Sequence, residues 1–211
     1  MIRNIISRSK AVMSFLEMPL GYLASQWVIG GIKARKRCMQ DHIRLSKGMR
    51  VLDVGCGPGY VAELLTGSEY VGLDTDKKYI DYARHRYGKC GDFHCTPLTE
   101  DFLRKRRGFD YVLMNGVLHH LSDEESSVVL RLCHKALKLG GSMVTLDGFY
   151  ADDADPVTRF LLDRDRGKFI RTKPRYLALV RSVFSWVKSY EHSDYFHVPY
   201  NVLVMECRRE N

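Results

Sequence analysis

The stretch of this chain best equipped for chemistry is Val51-Leu52-Asp53-Val54-Gly55-Cys56-Gly57-Pro58-Gly59. An apolar run ends in three glycines, where a strand must turn sharply into a helix. Without Cβ atoms the backbone there can approach a ligand closely. The helix start that follows offers free backbone N–H groups. A dinucleotide fingerprint has G-x-G-x-x-G spacing. Here Tyr60 takes the sixth position, and the spacing is G-x-G-x-G. Asp53, just before the first glycine, would repel a pyrophosphate but pair with an ammonium group. Spacing and charge together favour a cationic, phosphate-free ligand over a nicotinamide cofactor.

S-adenosylmethionine is such a ligand. Asp74 stands twenty-one residues after Asp53, and a carboxylate there can accept both hydroxyls of a ribose. The competing role, capping the next helix, suits Asp76 better. Asp92-Phe93 supplies an acid for an adenine amino group and a ring to pack on the base. In Asn115-Gly116-Val117-Leu118-His119-His120-Leu121, His119 and His120 titrate near neutrality and are the catalytic candidates. A base is needed only if the nucleophile holds a proton. The plainer reading, in which one of the pair orders the loop or lines the pocket, is preferred. Asp147 and Tyr150 follow as further candidates at the same mouth. Cys90, His94, Cys95, His119, His120 and His134 lack compact ligand spacing, so no metal is expected.

These residues need a scaffold of alternating strands and helices. Apolar runs predict strands at 50–54, 69–73, around 90–95, at 109–114 and at 142–146. Helices are predicted at 60–66, after Asp76 with Tyr79, Ile80, Ala83 and Tyr87 inward, and after the capping box Ser122-Asp123-Glu124-Glu125. That last helix carries Val128, Val129, Leu132, Cys133, Ala136 and Leu137 on one side and ends at Gly140-Gly141. The alternation implies an α/β, doubly wound, Rossmann-like domain whose mostly parallel sheet has helices on both faces. After residue 148 the rhythm breaks. A helical insert around 155–182 precedes two strand-like runs, 183–190 and 200–207.

The segments Val51–Gly59, Val71–Asp74, Gly91–Phe93, Phe109–Leu121 and Leu137–Asp147 resemble the successive motifs of class I S-adenosylmethionine-dependent methyltransferases. The resemblance covers residues 45–148 and implies a seven-stranded sheet with its last strand antiparallel. It implies that Asp53 lies near the methionine part of the cofactor, that Asp74 binds ribose, and that Asp92 and Phe93 contact adenine. The backbone around Asn115 would touch the amino acid moiety. Tyr60, Thr75 and Gly116 join the glycines, Asp74 and Asn115 as cofactor-binding candidates. Four regions follow: an N-terminal helical lid (1–48), the cofactor-binding core (49–148), a substrate cap (149–182) and C-terminal strands completing the sheet (183–211). In the cap, Arg166, Lys168 and Arg171 can clamp a carboxylate or phosphate, or mesh with Asp163 and Asp165 as exposed ion pairs. This stretch is similar, more loosely, to bacterial methyltransferases of glycolipid or polysaccharide synthesis.

The chain has 211 residues and a net charge of +8, distributed as +7 over residues 1–48, −1 over 49–148 and +2 beyond. A basic stripe near the chemistry is what nucleic acid would want, so nucleic acid is disfavoured as a partner. An RNA methyltransferase remains an alternative. It is weakened by strand four ending in Met114-Asn115-Gly116-Val117, not in an Asn/Asp-Pro-Pro-aromatic pattern. A non-catalytic binding module is the other alternative, and the intact glycine motif and Asp74 argue against it. The N-terminus does not read as a signal peptide, and six scattered cysteines read as reduced thiols of a cytoplasmic protein. Leu20, Leu23, Trp27 and Val28 fall on one helical face, followed by Lys33-Ala34-Arg35-Lys36-Arg37. Residues 11–37 are expected to form a lid over the cofactor. A sharper reading makes them an interfacial helix resting on the anionic inner membrane surface. The acceptor is expected to be small or lipid-linked, with an anionic group, and methylated at oxygen.

Overall fold

The computed structural model describes residues 19–210, apart from the side chains of residues 19–22 and 25. The part of the expected lid before Pro19 and the side chain of Leu20 lie outside the described residues. Alternation sets the sheet. In β1 (Arg50–Val54), Leu52 and Val54 pack to one face and Val51 to the other. In β4 (Phe109–Asn115), Val112 and Met114 oppose Leu113 in the same way. Burial on both sides is what a parallel sheet requires.

The remaining strands are β2 (Glu69–Asp74), β3 (Asp92–Cys95), β5 (Leu137–Tyr150), β6 (Arg171–Thr172), β7 (Trp186–His192) and β8 (Val202–Arg208). Their order is β3-β2-β1-β4-β5-β8-β7, with the two-residue β6 paired to the end of β5. β8 runs antiparallel to both its neighbours. The seven-stranded path and its antiparallel last strand match the expectation; β6 is an addition.

Helices α1 (Pro19–Ile29), α2 (Gly31–His42), α3 (Val61–Leu64) and α4 (Lys77–Tyr87) precede α5 (Glu100–Lys105), α6 (Asp123–Ala136), α7 (Pro156–Asp163) and α8 (Lys173–Arg181). Ala34, Cys38, Val61, Ile80 and Ala83 of α2, α3 and α4 cover one face. Leu103, Leu130, Cys133, Tyr176 and Val180 of α5, α6 and α8 cover the other. Asp76 caps α4 by accepting from the Lys78 and Tyr79 N–H groups, and the capping box at Ser122 and Glu125 is formed.

Four details differ from the sequence expectation. Gly140-Gly141 does not end α6. The helix stops at Ala136, and both glycines lie inside β5, where β4 and β5 shift register between Phe109 and Tyr111. A Cβ on Gly141 would sit 2.9 Å from the Phe109 carbonyl oxygen, so the pair serves a bulge. On α6, Leu130 enters the core while Val128 stands half out. The expected helix 60–66 shrinks to one turn. Arg171 is no clamp for a ligand. It is buried, and its guanidinium donates to Asp123 and to the carbonyls of Leu118, Leu121 and Phe169. Arg171→Leu strands these acceptors and is expected to cost about 2–4 kcal/mol of stability, read from urea unfolding.

Candidate functional site

Parallel strands place their carboxyl ends at one edge, and register aligns the candidates there. Asp53 pairs with Gly72, Asp74 with Cys95, and Asn115 with Leu146. Behind that edge lies a cavity of about 860 Å³, lined by Asp53, Gly55, Gly57, Tyr60, Asp74 and Thr75, and across from them by Asn115, Gly116 and His120. Most of the predicted cofactor-binding residues therefore share one hollow.

The glycine loop is fixed by its neighbours. The Asp74 carboxylate accepts from the Gly57 N–H at 2.8 Å and from the Asp76 N–H at 2.8 Å. Gly57 has φ +55° and open space where a Cβ would be, so a ligand can approach its backbone. Gly59 has φ +82°, and a Cβ there would meet Ala83 and Phe93 at 2.7 Å.

Asp53 is wholly buried. One carboxylate oxygen accepts from the Tyr70 hydroxyl at 2.6 Å, and the other has no partner. Burial pushes its pKa up to about 6, against the hydrogen bond from Tyr70 and the charge of Arg35. Asn115 is also buried, with both amide atoms unpartnered. Buried polar atoms without partners are rare in folded proteins. These line the cavity, and they fit a ligand carrying an ammonium and a carboxylate.

Two residues assigned to adenine are elsewhere. Asp92 lies outside the cavity and holds His94 at 2.8 Å and Arg106 at 3.1 Å. Phe93 packs beneath Gly59 and Gly72. β3 begins at Asp92, so its carboxyl end, and the wall it contributes, is Thr96, Pro97 and Leu98. Tyr79 of α4 joins that wall. Periodicity marks Tyr79 only as a core residue of α4.

A second cavity of about 280 Å³ adjoins the first. Gln26 and Ile29 of α1, Leu161 and Arg164 at the end of α7, and Phe196, Val198 and Tyr200 line it. Arg35, Gly116, His120 and Arg166 line both cavities, so the two meet at these residues. Arg35 belongs to the N-terminal basic cluster but does not stay in solvent. Ala34 and Cys38 anchor α2, which carries the Arg35 guanidinium to 5.9 Å from the Tyr60 ring centre. Lys168 lines neither cavity. Tyr150 is also absent from both, and donates to Asp163 at 2.8 Å.

The two histidines have different surroundings. His119 is buried, with Nδ1 2.8 Å from Asp147 Oδ1. Burial alone would lower its pKa; Asp147, through a hydrogen bond and its charge, and then Asp165 outweigh this and hold it raised. His120 is solvent-exposed, its ring centre 4.2 Å from that of His119. Burial and the charge of His119 lower its pKa. Among the described residues, no three of His, Cys, Asp and Glu converge as a metal would need.

Residues 51–141 match a family model described as a methyltransferase domain. The ubiquinone biosynthesis O-methyltransferase of Bradyrhizobium diazoefficiens is 37% identical over 102 residues, covering 46% of this chain and 39% of that protein. A tRNA U34 carboxymethyltransferase of Alteromonas mediterranea is 29% identical over 113 residues, covering 49% of this chain and 33% of that one. The chain thus spans well under half the length of these relatives. Among solved structures, phosphoethanolamine N-methyltransferase 2 of Haemonchus contortus, in complex with phosphomonomethylethanolamine and S-adenosylhomocysteine, superposes with a TM-score of 0.70 at 14% identity, covering 93% of this chain and 58% of that one.

Proposed function

Taking as premise that this chain belongs to the class I S-adenosylmethionine-dependent methyltransferases, through its domain at residues 51–141, we propose that it methylates a hydroxyl oxygen of a small or amphipathic anionic acceptor. The meeting of the two cavities at Arg35, Gly116, His120 and Arg166 carries this reading. The larger cavity suits the cofactor and the smaller one the acceptor.

Asp53 and Asn115 would hold the ammonium and carboxylate of the cofactor, Asp74 its ribose, and the wall of Tyr79 and Thr96–Leu98 its adenine. Bound there, S-adenosylmethionine supplies an electrophilic methyl on a positively charged sulfur. The protein's task is then alignment, which can lower the barrier substantially. Arg35 and Arg166 orient an anionic group of the acceptor. Ile29, Leu161, Phe196 and Val198 hold its apolar part and exclude water. His120, at the junction, takes the hydroxyl proton.

Trp27 and Val28 stand 70% and 65% exposed on α1, beside the Gln26 and Ile29 that line the smaller cavity. They favour an acceptor that arrives from an apolar phase, and a lid that touches anionic lipid while it does so. Among the described residues, no helix is long and apolar enough to cross a membrane.

The test has two stages. Calorimetry with S-adenosylmethionine and S-adenosylhomocysteine, with NAD as control, should show binding of the sulfur ligands alone. Mass-spectrometric profiling then offers 3,4-dihydroxybenzoate, the neutral catechol, the same compounds in lipid vesicles, and tRNA. Methylation of the acid in preference to catechol is the expected result. Methyl on tRNA alone would move the protein to the RNA reading, and absence of sulfur-ligand binding would end the methyl-transfer reading.

A further inference from the structure

The cap segment between α7 and β6 packs on His119. Phe169 N–H donates to the His119 carbonyl at 2.9 Å. A Cβ on Gly167 would lie 2.1 Å from His119 Cδ2, so that backbone rests on the imidazole ring. Asp165 Oδ1 stands 3.5 Å from His119 Nε2 and accepts from the Gly167 N–H at 2.7 Å. Its other oxygen accepts from the Tyr200 hydroxyl at 2.9 Å. On the opposite edge of the ring, Asp147 Oδ1 lies 2.8 Å from Nδ1 and also accepts from the His119 N–H at 3.2 Å. The Asp147 side chain is fully buried, and its second oxygen has no partner.

We propose that His119 is a positioning residue: it bridges Asp147 on β5 to Asp165 on the cap, and so sets Arg166 and His120 at the mouth between the two cavities. That Arg166 and His120 serve an acceptor rests on the methyl-transfer reading; the bridge does not.

A neutral imidazole carries one N–H, which Asp147 takes at Nδ1, whereas the imidazolium adds a second N–H and a positive charge facing Asp165 at 3.5 Å. The full bridge therefore belongs to the protonated ring. The groups facing it are Asp147 from β5, Asp165 and Arg166 from the cap, Arg35 from α2, His120 from its own turn, and Tyr200 through Asp165. The carboxylates prevail, and the His119 pKa is raised. A raised pKa means that the stabilisation is complete below the ordinary histidine value and is lost as pH rises through the folded value. The cap is thus held on the acid side and loosens on the alkaline side.

Hydrogen exchange of a peptide spanning residues 164–170 tests this in the whole protein. Rates are compared with those of His119→Gln at each pH, which cancels the intrinsic pH dependence of exchange. The expected result is at least tenfold greater protection in the wild type at pH 6, falling towards equality by pH 9. Asp165→Asn and Tyr200→Phe should each reduce protection at pH 6, and Asp165→Asn should lower the His119 titration point read by NMR. S-adenosylhomocysteine affinity should stay within twofold in all three variants, which also shows that each has folded. If His119→Gln fails to fold, the other two carry the test. Equal cap protection with and without the bridge, or a His119 titration unmoved by Asp165→Asn, overturns the proposal. Failure of the wild type to bind the sulfur ligand would sink the methyl-transfer reading and leave the exchange result standing.

Discussion

Asp53→Asn is expected to make the protein more stable and to remove its grip on the cofactor. The carboxylate is buried, its pKa is raised from 3.8 to about 6, and one of its oxygens has no partner. A shift of about two units corresponds to about 3 kcal/mol. The sign follows from linkage. A carboxyl that binds its proton more tightly when folded adds stability at low pH and loses it as pH rises from 3.8 towards 6. At pH 7.5 the wild type therefore bears nearly the whole cost of a buried charge. Asn keeps the shape and can still accept from Tyr70, so the variant should gain about 1–3 kcal/mol at pH 7.5. That gain should fade as pH drops below about 6.

Affinity should move the other way. Without the carboxylate, S-adenosylhomocysteine binding should fall by about 100-fold, the scale of a lost charge-assisted hydrogen bond in a buried site. For the wild type, affinity should be flat above pH 7 and fall towards tenfold per unit below about 6, where the proton competes with the ammonium. Thermal melts with and without the ligand check both halves. A variant that is less stable and binds as well as the wild type would show Asp53 to be structural.

The same residue shows what a sequence reveals. Asp53, Gly57 and Asp74 were legible because their positions follow from a local rule: an apolar strand, a sharp turn, and an acid at the next strand's end. Register then did the rest, since parallel strands carry those ends to one edge. Asp92 and Phe93 were misplaced because β3 is short and weakly apolar. Its end could be set only by pairing with β2, which puts Asp74 beside Cys95. Gly140-Gly141 read as a helix stop because a bulge and a cap both want glycine, and only contact with Phe109 separates them. Arg171 looked like a ligand clamp because its carbonyl partners at 118 and 121 are about fifty residues away in the chain. Arg35 was hidden in a basic run; what singles it out is the phase of α2, fixed by Ala34 and Cys38. The smaller cavity was the least legible feature, because α1, the segment around α7 and the loop before β8 meet only in the folded chain.

With 3,4-dihydroxybenzoate as probe acceptor, His120→Asn is expected to lower kcat by about 10²–10³-fold, the usual contribution of a positioned base, with S-adenosylhomocysteine affinity little changed. A fall in kcat alone would not tell His120 from His119, since the rings touch. The pH profile does. A base acts in its neutral form, so the rate rises with pH through the base's own pKa and then levels. For His120 that pKa is lowered by burial and by His119, so the rise should lie below the ordinary histidine value, and any change above it should be a fall as the cap that sets His120 loosens. For His119 it is raised, chiefly by Asp147 against the effect of burial, so the rise would lie above that value and continue through neutrality. Adjacent groups whose surroundings drive their pKa values apart are a common way to divide one site between two roles. Here the division gives the cap to the charged ring and the proton to the neutral one. A rise centred above the ordinary value, unchanged in His120→Asn, would reverse that assignment.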